Sequence, residues 1–142
     1  MIKVVLDANI FVSAVIKSPS TPARILELVK EKKIILISSN EILSEVRTAL
    51  LYPKLCKIHH RTQKDINQFI KNMTRISLIV PDKTKIYEIQ DDPSDNKYLS
   101  AALEGNADFI VSGDHHLKEL KTFQGTRILD PATFLQVAMK PR

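Results

Sequence analysis

This sequence is short of glycine, cysteine and aromatic residues, and each shortage removes a class of function. Its 142 residues include three glycines, one cysteine and no tryptophan, and aromatic residues make up 6%. Three glycines are too few for a loop whose backbone folds closely around phosphates. The single Cys56 rules out an internal disulfide framework and is compatible with a reducing compartment. No Cys–His arrangement surrounds it, so it is assigned to packing. Scarce aromatics leave no evident platform for stacking successive bases. Long apolar runs are missing too. Residues 2–6 are apolar except for Lys3, and Asp7 interrupts them at once, too early for a signal peptide's apolar region or a membrane span. The expectation is a cytoplasmic protein that makes no membrane contact.

What is present is ordinary for a globular chain, with 44% hydrophobic and 26% charged residues. The length fits one domain over residues 1–142, with no internal repeat, low-complexity stretch or convincing linker. Lys and Arg total 21 against 16 for Asp and Glu, a formal net charge of +5 and a pI near 9.4. Such a balance favours a polyanionic partner such as nucleic acid, although solvated lysines alone produce it as well.

Short apolar segments alternate with amphipathic ones. Residues 2–6, 34–37, 76–80, 109–112 and 127–129 read as strands. Helices are expected after Thr21-Pro22, after the Ser38-Ser39-Asn40 cap candidates, from Thr62 or Asp65, after Pro93-Ser94, and from Pro131. Pro53 breaks the second of these, and residues 56–61 read as a connection. Strands alternating with helices imply parallel pairing, so the expected fold is a three-layer α/β/α sandwich around a mainly parallel sheet.

In such sheets, ligands bind beyond the carboxyl ends of the strands. Asp7 ends the first strand and Asp114 follows the fourth, so the two face one crevice if those strands are neighbours. A lone aspartate there is equally a helix cap. Glu45 lies one helical turn after Glu41 and shares its face beside an apolar stripe, where a glutamate is ordinarily solvated. Asp91, Asp92 and Asp95 crowd the start of the next helix. One acid there is explained by the helix dipole, but three within five positions repel one another unless a cation intervenes. Taken as a set, Asp7, Glu45, Asp95 and Asp114 suit a hard cation such as Mg²⁺, which takes oxygen ligands and activates water for attack on a phosphodiester.

Several segments carry a family resemblance. Val5-Leu6-Asp7-Ala8-Asn9-Ile10-Phe11-Val12-Ser13 resembles the opening of a PIN domain, the fold of VapC-type toxin ribonucleases. Asp92-Pro93-Ser94-Asp95-Asn96-Lys97-Tyr98-Leu99 and Ala107-Asp108-Phe109-Ile110-Val111-Ser112-Gly113-Asp114 resemble its third and fourth motifs. Ser39-Asn40-Glu41-Ile42-Leu43-Ser44-Glu45-Val46 resembles the segment carrying the family's conserved acid. The resemblance spans essentially the whole chain and implies Mg²⁺- or Mn²⁺-dependent RNA cleavage by a metal-activated water. It makes Asp7, Glu45, Asp95 and Asp114 the metal-site acids, with Asp92 an outer ligand or a cap and Glu41 the alternative to Glu45, its first-turn place favouring a capping role. Asn9 and Ser112 become supporting residues that help hold the acids. A homodimer and a cognate antitoxin as partners are likewise implied by the resemblance.

Lys97, His115 and the basic stretches around Lys30, Lys54 and Arg61 are candidates for RNA phosphate contacts. The pairs His59-His60 and His115-His116 otherwise read as surface histidines on loops. Two rival readings stand beside the nuclease. A haloacid-dehalogenase-like phosphatase also opens with a strand and an Asp-x-Asp pair, but here the second position is Asn9, which cannot transfer the proton. The other rival is a non-catalytic RNA- or antitoxin-binding module.

Overall fold

The structure is a computed structural model that describes residues 1–81 and 95–140, with His116 described by its backbone alone. Strand β1 (Lys3–Leu6) pairs in parallel with β2 (Ile35–Ser38) on one side and with β4 (Phe109–Val111) on the other. Outside these lie β3 (Leu78–Ile79), parallel to β2, and β6 (Thr126–Leu129), parallel to β4. The short β5 (Thr122–Phe123) closes the far edge antiparallel to β6. The described order is therefore β3-β2-β1-β4-β6-β5. Val4, Val5, Leu36, Ile37, Ile110 and Val111 are fully buried in the central strands, as apolar runs covered on both faces should be.

This order places a reversal at β1. From β1 the chain steps outward to β2 and β3, then returns to the other side of β1 as β4. Helices α1 (Ala8–Ile16), α2 (Thr21–Lys30), α3 (Asn40–Leu50) and α5 (Gln63–Ile76) pack as a series, α1 against both α2 and α3, and α3 against α5. Helix α6 (Asn96–Gly105) lies on β1, β2 and β4. Because parallel crossovers are right-handed, the reversal sends the α1–α5 series and α6 to opposite faces, which makes three layers. The gap between β1 and β4 is the switch point where such sheets open a crevice. Close approach of α6 requires glycine at its end, since a Cβ on Gly105 would lie 2.7 Å from Ile37 Cγ2. Asn106 then stops the helix at φ 52°, a left-handed conformation that asparagine tolerates.

Several expectations need correcting. Helix α1 escaped the pattern because Ala8, Ile10, Phe11, Val12 and Ala14 are all buried, which leaves only Asn9 and Ser13 as a polar face too narrow to reveal a helical period. Residues 56–61 are not simply a connection: α4 runs over Pro53–His59, so Pro53 both ends the preceding helix and occupies the first turn of the next. The expected strand at 76–80 shrinks to Leu78–Ile79, because α5 continues through Ile76 under a complete Thr62/Asp65 capping box. Helix α7 (His115–Leu120) and β5 are additions, so His115 opens a helix and is not on a loop. The last helix, α8 (Pro131–Met139), starts as expected with Pro131 behind an Asp130 cap.

Candidate active site

Asp7 leaves the carboxyl end of β1 and is also the N-cap of α1. Its Oδ1 accepts a hydrogen bond from Ile10 N–H at 3.1 Å. The register Leu6↔Val111 sets the next residues, Asp7 and Ser112, side by side, and Asp7 N–H donates to Val111 C=O at 3.1 Å. The Ser112 hydroxyl donates to Asp7 Oδ2, while its oxygen accepts from Asp114 N–H at 2.9 Å. One buried hydroxyl thus fixes both the carboxylate at the end of β1 and the backbone that presents Asp114. Asp114 in turn accepts from Leu117 N–H at the start of α7, at 3.4 Å. Asp7 is 3% exposed. Burial pushes its pKa above the ordinary carboxylate value, and the negative charge of Asp114 adds to that rise. Donors from Ser112, Ile10 and the Asn9 backbone oppose it.

A second network adjoins the first. Tyr98, 2% exposed on α6, accepts from Ala8 N–H at 3.0 Å and donates its phenolic proton to Glu45 Oε1. Lys97 Nζ lies 2.7 Å from Glu45 Oε2, with its side chain only 6% exposed, and sits 4.9 Å from the Tyr98 ring centroid. Burial and the adjacent Glu45 raise the Tyr98 pKa far above the usual phenol value, so it stays protonated and donates. The two networks join at the start of α1, where Asp7 caps one N–H and Tyr98 satisfies another.

The β1/β4 switch point thus carries a buried carboxylate beside a second acid. A sequence profile of the PIN domain matches residues 3–116. The chain belongs to the PIN domain family. PIN domains are generally nucleases. This PIN domain is 35% identical over 120 residues to an uncharacterized protein of Methanocaldococcus jannaschii, a match covering 84% of the chain and 76% of that protein. Its fold is similar to a chain in the crystal structure of VapBC2 from Rickettsia felis bound to a DNA fragment from their promoter. There the TM-score is 0.60 at 18% identity, covering 89% of this chain and 97% of that one.

Within this PIN domain the anticipated residues fall into distinct places. Asp7, Ser112 and Asp114 form the first network, and Glu45 and Lys97 belong to the second. Asp95 stands at the N-cap position of α6, two residues before Lys97. Asp92 lies outside the described residues. Asn9 is exposed and acts on Asp7 through its backbone N–H. Glu41 is exposed in the first turn of α3, whose cap is the Ser39 hydroxyl accepting from Ile42 N–H at 3.2 Å. His115 is exposed directly after Asp114, whereas Lys97 is drawn inward onto Glu45. Tyr98 was missed. Nothing in its spacing separates it from the apolar stripe of α6, and only the packing of α6 on β1 and against α3 brings its hydroxyl to the site.

Among the described residues, no three His, Cys, Asp or Glu side chains are already gathered as a metal cage. The donor set nonetheless suits a hard divalent cation. Mg²⁺ is commonly held through one or two carboxylates, with water and phosphate oxygens completing the shell. Asp7 and Asp114 provide such a pair, and the donors meeting Asp7 are neutral, so a cation there would relieve the repulsion between the two acids.

Proposed function

We propose that this PIN domain is a Mg²⁺- or Mn²⁺-dependent endoribonuclease acting as the toxin of a toxin–antitoxin pair, with residues 1–142 forming a single catalytic domain. The observation that carries the reading is the Asp7–Ser112–Asp114 arrangement at the β1/β4 switch point of a PIN chain. Asp7 and Asp114 would hold the cation, with Asp95 at the start of α6 and Glu45 on α3 completing the acidic surround. When bound, the cation supplies an activated water and offsets charge on the leaving phosphodiester oxygen. Ser112 orients Asp7 and holds the backbone of Asp114, so the acids need little rearrangement to receive it. His115, exposed beside Asp114, would contact RNA phosphate, and the net charge of +5 favours a polyanionic substrate.

The partner proposal follows from the likeness to a toxin–antitoxin complex: an antitoxin that covers the site, with the PIN domain as a homodimer in the cytoplasm. No described helix is long and apolar enough to cross a membrane. The decisive experiment incubates purified protein with labelled RNA, with and without Mg²⁺, alongside Asp7→Ala. Cleavage that needs the cation and disappears in the variant supports the reading. Cleavage that survives Asp7→Ala belongs to a contaminant, and a phosphoenzyme trapped on Asp7 would instead indicate the phosphatase chemistry.

A further inference from the structure

Both oxygens of Glu45 are taken by consecutive residues of α6, Lys97 on Oε2 at 2.7 Å and Tyr98 on Oε1. The lysine is the buried partner: its side chain is 6% exposed against 40% for Glu45. Its ammonium rests 4.9 Å from the Tyr98 ring centroid, and that ring's hydroxyl reaches Ala8 N–H, next to Asp7. A long, flexible lysine does not normally surrender its hydration for a surface ion pair, because the net gain is small. Here the aromatic face and the carboxylate together replace that hydration, so the ammonium is a fixed feature of the site wall. A positive charge held on Glu45, in the network that reaches the Ala8 N–H next to Asp7, opposes a second cation and occupies the carboxylate oxygen that would otherwise bind it.

We propose that Lys97 is a built-in counter-cation that keeps Glu45 out of a bound metal's coordination shell and thereby sets how tightly the site takes a divalent ion. Lys97 is thus a positioning residue. Glu45 acts on the metal through Lys97, and Asp7 and Asp114 are the acids that a cation reaches directly. The inference rests on the metal-dependent reading above and specifies how its acids divide the work.

The test is calorimetric titration of Mn²⁺ into metal-free protein, so it does not depend on activity. Lys97→Met frees Glu45 and removes the opposing charge, and Mn²⁺ should bind at least about fivefold tighter. The double variant Lys97→Met/Glu45→Gln replaces a neutral pair with a neutral pair of similar shape. Its affinity should stay within about fivefold of the wild type, since a buried ion pair can be exchanged for neutral groups without losing the fold. A loss beyond fivefold in the double variant shows that Glu45 ligates metal with its own oxygens and overturns the proposal. Unchanged affinity in a folded Lys97→Met also overturns it. Should Lys97→Met fail to fold by circular dichroism, the double variant alone decides. A wild-type protein that takes up no Mn²⁺ sinks both this inference and the metal-dependent function, whereas binding by the wild type with a failed cycle sinks the inference alone.

Discussion

The two halves of the site use carboxylates in opposite ways. On the sheet, Asp7 is buried and met by neutral donors, a hydroxyl and backbone N–H groups, beside a second acid whose charge works against its own. On the helices, Glu45 is half-exposed yet answered by an ammonium and a phenol. The first arrangement holds geometry while leaving negative charge for a ligand to offset. The second is nearly neutral and ties α3, α6 and the start of α1 together. At its strand end Asp7 is held rigidly by neutral donors, whereas Glu45 on its helix meets an ammonium and a phenol. A buried carboxylate held rigidly by neutral donors is the better mark of a binding site.

Asp7→Asn should break this contrast most severely. It keeps the size of the side chain but removes the charge and turns one of its two accepting oxygens into a donor, and metal-dependent RNA cleavage should fall by about a hundredfold or more. The same variant carries a pH signature in metal-free protein. Since the pKa of Asp7 is raised in the folded state above its ordinary 3.8, the native protein binds a proton that the unfolded chain does not. Stability should therefore rise as pH falls from above the raised value toward 3.8 and change no further from this group below it. Asp7→Asn should flatten that part of the profile in thermal melts at stepped pH. A wild-type profile that falls over the same interval would count against the burial-driven shift.

Ser112→Ala should come next. It strips one buried hydroxyl from both Asp7 and the Asp114 backbone, costing about 1–3 kcal/mol in denaturant unfolding. Activity should fall by about ten- to hundredfold, as when partners that orient ligands are lost. Tyr98→Phe removes the link between the two halves. About 1–2 kcal/mol of stability should go with the hydrogen bonds to Ala8 and Glu45, while cleavage declines less than in Ser112→Ala. A larger activity loss in Tyr98→Phe would erase the distinction between the halves. Asn9→Ala should do least, within about 0.5 kcal/mol and with little change in activity, because its exposed side chain leaves the N–H beside Asp7 in place.

Legibility followed the kind of interaction involved. Strand ends at Asp7 and Asp114 could be read because apolar runs stop there, and the parallel sheet followed from alternating patterns. Helix α1 stayed hidden because burial on most sides leaves only Asn9 and Ser13 exposed and blurs the helical period, and α4 because Pro53 serves as both stop and start. The face that α6 presents to α3 was also illegible: no local pattern shows that the Lys97 side chain folds onto Glu45.

Asp7 and its neighbours thus show what each level decides. The sequence by itself determined the strand and helix pattern, the basic charge and which acids stand at element ends, since these follow from local apolar periodicity, caps and composition. Only tertiary structure decided that β4 lies next to β1, so that Ser112 bridges Asp7 and Asp114. It also decided that Lys97 and Tyr98 share the two oxygens of Glu45. Strand order and helix docking join residues about fifty to a hundred positions apart, and no local pattern encodes which distant partner a side chain will meet.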